Sequence, residues 1–150
     1  SNGSVGTTNS GAATTITADG LLSLKYAIKS AYQASASWVM KRATISSVRK
    51  LKDGNGNYLW QPGLAQGRPN TLDGDPYVEV ADMPSEGAGL KPVAYGDWRR
   101  AYTWIDRISM GMLRDPYPPA TSGNVRFIVR KRVGGQVTLA EAIRVLVCST

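Results

Sequence analysis

The sequence predicts an α+β fold, on three observations. Two stripes of apolar residues at helical spacing lie in the first third of the chain. Short β-prone runs follow, broken by Gly and Pro every few residues. Helices early and many short strands later, with no internal repeat, make this α+β. The chain has 150 residues and 42% hydrophobic content. That suits one core, which at this size buries roughly 68–70% of the unfolded surface.

The elements are read in order. Residues 1–16, "SNGSVGTTNSGAATTI", carry no charged side chain and little apolar surface, and read as a flexible linker or arm. Thr17 is a helix cap with Asp19 in the first turn, and Leu21, Leu24, Ile28 and Ala31 share one face, which predicts a helix over 18–34. "SWVMKR" (37–42) reads as a strand. Thr44 caps a second predicted helix, 44–52, with Ile45, Val48 and Leu51 inward and Arg49, Lys50 and Lys52 in water. "DGNGN" (53–57) stops it. "YVEVADMP" (77–84) and "KPVAYG" (91–96) read as strands, and "SMGMLR" (109–114) as another. "DPYPPATSG" (115–123) is a loop. "NVRFIVRKRV" (124–133) alternates Val125, Phe127 and Val129 against Arg126, Ile128 and Arg130, the pattern of a strand. "AEAIRVLVCS" closes the chain.

Composition narrows the chemistry. Without histidine there is no imidazole for a metal site, a nucleophile's base or a pH switch. Cys148 is alone, so no internal disulfide forms. No apolar run approaches the ~20 residues of a membrane-spanning helix. The net charge of +7 favours anionic partners at long range. "DGNGNYL" resembles a calcium loop but has Tyr58 where a Gly is required and Leu64 where a bidentate Glu is required. Ser47-Val-Arg-Lys50 matches a Ser-x-x-Lys pattern, yet its companion motifs are missing, so a helix surface is the better reading. Asp73, Asp75, Asp82, Asp97, Asp106 and Asp115 are scattered; pairing with arginines outweighs acid–base work.

"AYGDWRRAYTWIDR" (94–107) sets Arg99 and Arg100 among two tryptophans and two tyrosines. Its spacing fits a helix stripe or one face of a strand. Nearby glycines favour strands with a bend at the two arginines, which then point to opposite faces: one pairs with Asp97 or Asp106, the other faces solvent or a neighbour. A nucleic-acid surface, a core element with paired arginines, and a surface that meets another copy of the chain all remain open on the residues alone.

Seven segments in one order carry a resemblance: "ITADGLLSLKYAI", "ASWVMKRATISSVRKLKDGNGNYLWQPGL", "YVEVADMP", "VAYGDWRRAYTWIDR", "LRDPY", "VRFIVRKRVGG" and "EAIRVL". Over about residues 16–148 the chain resembles the major capsid proteins of tailed phages, the Hong Kong ninety-seven type whose fold encapsulins share. The resemblance implies an axial domain, a mixed short-stranded sheet flanked by helices, plus part of a peripheral domain. It assigns 17–120 to the axial domain, 121–140 to a peripheral strand and 141–150 to the axial return strand, with 1–16 outside both. It implies a structural protein rather than an enzyme, with no cofactor, metal or small-molecule substrate and no membrane partner. The expected partners are copies of the same chain, in hexamers and pentamers, and packaged DNA through weak non-specific electrostatics. The expected location is the virion, assembled in the bacterial cytoplasm. The alternative is a free basic nucleic-acid-binding domain. No stretch matches the family's N-terminal arm, extended loop or spine helix, so the sequence reads as a C-terminal portion that does not close shells by itself. Asn124 lies near the position of a family crosslink, but no Asp or Glu lies between Asp115 and Glu141 to assist it, and that chemistry is not carried over. Candidate inter-subunit contacts are Trp98, Arg99, Arg100, Tyr102, Arg114, Asp115, Arg130 and Arg132. The strand 124–133 is expected to be an arm held by another copy, or to pair with residues 1–16.

Overall fold

The computed structural model describes residues 4–59, 71–115 and 126–149. Six strands make the larger sheet. In spatial order they are β1 (Gly6–Asn9), β8 (Ile143–Val147), β5 (Val93–Gly96), β2 (Ser37–Met40), β4 (Asp75–Glu79) and β3 (Thr71–Leu72). β1 runs parallel to β8 and β2 parallel to β4; the other neighbours are antiparallel. The second sheet is a long ribbon of β6 (Tyr102–Asp115) and β7 (Arg126–Val137). The helices are α1 (Ala18–Tyr26), α2 (Ser30–Gln33), α3 (Arg42–Arg49) and α4 (Trp98–Ala101). The mixed sheets and short helices make the fold α+β.

The core follows from strand register. Cross-strand partners share a face, so Leu146, Val93 and Met40 form one row and Tyr95 and Trp38 the next. All five are at most 1% exposed. Leu21 and Leu24 of α1 and Ile45 and Val48 of α3 pack against this face. Each such side chain stabilises by roughly 1.5–3 kcal/mol on burial. Trp38 and Tyr95 stack with centroids 4.4 Å apart, and the Trp38 indole N–H donates to the Leu72 carbonyl at 3.1 Å. That bond holds the β3–β4 hairpin, whose two-residue Asp73-Gly74 turn has φ of 51° and 87°, the left-handed pair a tight hairpin needs.

α1 is capped as its sequence predicts: Thr17 accepts from the Gly20 N–H at 3.1 Å, with Asp19 in the first turn. The Thr17 hydroxyl also donates to the Ser10 carbonyl. This clamps α1 against the chain leaving β1, so closely that a Cβ on Gly20 would lie 2.5 Å from the Ser10 oxygen.

Several expectations are corrected. Residues 1–16 are not wholly a loose linker: Gly6–Asn9 is an edge strand, and Ser10 and Ile16 are buried. Backbone pairing with β8 needs no apolar side chains, so composition could not reveal it. The helix over 18–34 is two helices, because Lys29 is extended (ψ 141°), and Ala31 is exposed. The break lets Lys29 and Tyr32 both reach Glu141, at 2.5 and 2.6 Å. The second helix starts at Arg42, not Thr44, whose buried hydroxyl lies within it. The inward stripe holds, with Ile45 and Val48 buried and Leu51 packed at the edge. Arg99 and Arg100 sit on a helical turn rather than a bent strand, and 109–114 is part of one continuous β6. Among the described residues β7 pairs neither with 4–16 nor with the larger sheet; its partner is β6. Sheet pairing groups residues 102–115 with 126–137 in a sheet separate from the six-stranded one. Most of the loop expected at 115–123 lies outside the described residues.

Val48→Asp places a charge where the side chain is 2% exposed, and is expected to destabilise by more than ~3 kcal/mol in urea titrations. Lys50→Glu, in water, is expected to change stability by less than ~0.5 kcal/mol. In the same assay Gly20→Ala is expected to lose about 1–3 kcal/mol through its backbone clash.

Candidate functional site

Two features leave the compact sheet: the turn that launches the ribbon, and the ribbon itself. The turn begins at Gly96, where a Cβ would lie 2.3 Å from the Ala142 carbonyl oxygen, so glycine lets β5 press against the chain entering β8. Asp97 is 1% exposed and caps α4, accepting from the Arg100 N–H at 3.3 Å and from the Ser35 hydroxyl at 2.7 Å. The Ser35 hydrogen bond holds its carboxyl below the ordinary value; burial opposes this, and the Arg100 backbone and charge add to it. The Trp98 indole donates to the Ser37 carbonyl at 3.1 Å. Ala101, Ala142 and Ile143 form a small second core beneath it. The Thr138 N–H donates to the Ala101 carbonyl at 2.8 Å, which ties both strands of the ribbon to one root.

Beyond the root the ribbon has two unlike faces. Paired residues point to the same side. One face carries Tyr102, Trp104, Met112, Phe127, Val129 and Val133, which are 43–68% exposed. Lys131 lies among them and is neutralised by Asp106 at 2.9 Å. The other face carries Arg126, Arg130 and Arg132 with Ile105, Leu113 and Ile128. Register shifts at 106–108 and 108–111 bulge β6 once in each stretch and add twist.

The expected contact residues do not converge on one patch. Trp98 is an internal anchor of the turn. Arg99 and Arg100 are exposed on α4; Arg100 lies 3.4 Å from Asp97 and its guanidinium 6.0 Å from the Tyr32 ring centre. The two arginines thus have the different surroundings expected of them, with Asp97 the acid. Tyr102 stands at the ribbon's root over Gly135. Arg114 shares the apolar face with Phe127, whereas Arg130 and Arg132 are on the opposite face. The Asp115 backbone pairs with Arg126; its side chain lies outside the described residues.

Sequence reading missed the exposed apolar set on β6, above all Trp104 and Met112. The alternation of 124–133 was a usable signal, but it did not show that β6 would be its only described partner. It also missed a polar cluster beside the sheet. Lys25 bridges Asp73 and Asp75 at 2.8 and 3.0 Å, and the Tyr95 phenol donates to Asp75 at 2.8 Å. Burial first, then that bond, pushes the Tyr95 phenol far above its ordinary value.

Asp97 makes stability depend on pH. Its folded-state carboxyl titrates below an unfolded aspartate, so its contribution is complete above about pH 4 and is lost as pH falls through the depressed value. Asp97→Asn, which keeps a capping oxygen and removes the charge, is expected to flatten the acid limb of a stability–pH curve measured by urea unfolding, and Asp97→Ala to lose in addition about 0.5–2 kcal/mol at neutral pH with the cap.

Comparison with known proteins then gives the family. The family model described as "Phage capsid family" matches residues 2–148. The capsid of an empty GTA particle is 37% identical, with a TM-score of 0.81 over 97% of this chain and 50% of that one. The capsid of a native GTA particle is 36% identical, with a TM-score of 0.83 over 100% of this chain and 53% of that one. Gordonia phage Cozz matches at 15% identity and a TM-score of 0.61, over 97% of this chain and 50% of that one, a likeness of fold. Comparison with curated proteins finds no match. The chain thus spans about half the length of the solved chains it matches. With the family model covering nearly the whole sequence, this chain belongs to the phage capsid family.

Proposed function

We propose that the protein is a structural, non-enzymatic component of a tailed-phage or prophage capsid. It self-assembles through hexamers and pentamers into an icosahedral shell around DNA, in the virion, after assembly in the bacterial cytoplasm. The observation that carries this is the family match over residues 2–148, joined by 36–37% identity to capsids of assembled particles. The six-stranded unit is read as the axial domain, around the hexamer and pentamer axes. The ribbon of β6 and β7 is read as the peripheral part that reaches a neighbour. Its exposed Trp104, Met112 and Phe127 support that role, because aromatic residues and Met are enriched at interfaces. Arg99, Arg100, Tyr102 and Arg114 then take rim positions, where a charge influences encounter more than affinity.

The test is sedimentation velocity across a wide range of chain concentration. The chain is expected to associate as concentration rises. Met112→Ser/Phe127→Ser/Val129→Ser is expected to remain monomeric with unchanged circular dichroism. A wild-type monomer throughout, or association untouched by the triple substitution, would contradict the reading.

A further inference from the structure

We propose that the arginine face of the β6–β7 ribbon is the surface that contacts the phosphate backbone of duplex DNA, while its apolar face is turned to protein. The identity of the polyanion rests on the capsid reading above. The sorting of charge by face does not.

The sorting comes from register. On β7, Arg126, Arg130 and Arg132 point one way, and Lys131 points the other. The lysine is already neutralised by Asp106 at 2.9 Å. Among the described residues, neither Arg130 nor Arg132 has an ion-pair partner, and both are exposed. Arg126 faces Asp115 in the backbone register, so the free cationic character rests on Arg130 and Arg132. These two are two residues apart on a strand, about 6.8 Å along it, so their guanidinium groups can reach separate phosphates. Guanidinium matches a phosphate bidentately and is weakly hydrated, which suits it to this contact. Gly111 and Gly134 lie on the same face with open space where a Cβ would be, leaving the ribbon low beside the arginines. Contacts from guanidinium to phosphate carry no sequence information, so recognition by these two arginines is of backbone and independent of sequence. The arginine face also carries Ile105, Leu113 and Ile128, and the opposite face carries Arg114, but Trp104, Phe127 and Val129 give that opposite face the chemistry of a protein contact. One two-stranded ribbon therefore separates a protein side from a DNA side.

The experiment is fluorescence anisotropy of a labelled duplex of about 30 base pairs, titrated with the chain at salt from about 50 to 200 mM. Three variants are compared with the wild type. Arg130→Gln/Arg132→Gln removes the proposed contacts. Arg42→Gln/Lys50→Gln removes the same charge from exposed positions at the two ends of α3. Arg130→Lys/Arg132→Lys keeps the charge on the ribbon. The slope of log affinity against log salt is expected to fall by nearly 2 in the ribbon Gln variant, at about 0.9 per phosphate contact. It is expected to stay within about 0.5 of wild type in the α3 variant and in the Lys variant. Equal loss in both Gln variants, loss in neither, or no DNA binding by the wild type would overturn the proposal. So would displacement of the duplex by poly-glutamate at equal charge, which would point to an acidic protein surface. Sedimentation of the same variants is read separately. A reduced salt slope with assembly intact is the expected result for the ribbon Gln variant; an unchanged slope with assembly intact would sink this proposal alone, while a wild type that does not associate would sink the capsid reading.

Discussion

A two-stranded sheet cannot bury itself. Stable layers need a second layer to cover an apolar face, and an isolated hairpin is marginal in water. Here the hairpin is long, with strands of 14 and 12 residues, and one face is rich in aromatic and aliphatic side chains. The rest of the molecule is arranged around this constraint. The six-stranded sheet satisfies its own core, whereas among the described residues nothing covers the exposed apolar face of the ribbon.

The contrast between root and ribbon gives the architecture its use. The root is over-determined: Gly96 against the Ala142 carbonyl, Asp97 capping α4 while holding Ser35, and Thr138 bonded to Ala101. The direction of departure is therefore fixed by buried groups. The exposed length beyond it is free to be shaped by whatever it meets. A rigid base with an exposed apolar strand pair fits a subunit whose neighbours complete it, and the arginine face is the side we propose for a second partner.

Much of this was legible in the sequence, for identifiable reasons. The strands β2 and β5 are short apolar runs, and the α3 stripe of Ile45 and Val48 is strictly helical in spacing, so local pattern and tertiary burial agree. The order of seven segments pointed to the family before any geometry did. What could not be read was set by backbone or by partners distant in sequence. β1 joins the sheet through main-chain bonds to β8, which a Ser/Thr/Gly-rich composition conceals. The break after α1 lets Lys29 and Tyr32 converge on Glu141, more than a hundred residues away, a partner that local pattern does not show. The contact residues were chosen by type, and type alone could not tell Trp98, an internal anchor, from Trp104, an exposed one. Nor could it place Arg114 and Arg130 on opposite faces, because that depends on the register of β6 against β7 and on its two bulges.

The central claim is that the ribbon gains its burial from another molecule, whereas the larger sheet does not. Amide hydrogen exchange of the chain, measured over a hundredfold range of concentration, tests it most directly. The account expects protection in residues 102–115 and 126–137 to rise with concentration while β2 and β5 stay equally protected throughout. Protection of the ribbon that is the same at every concentration would contradict it.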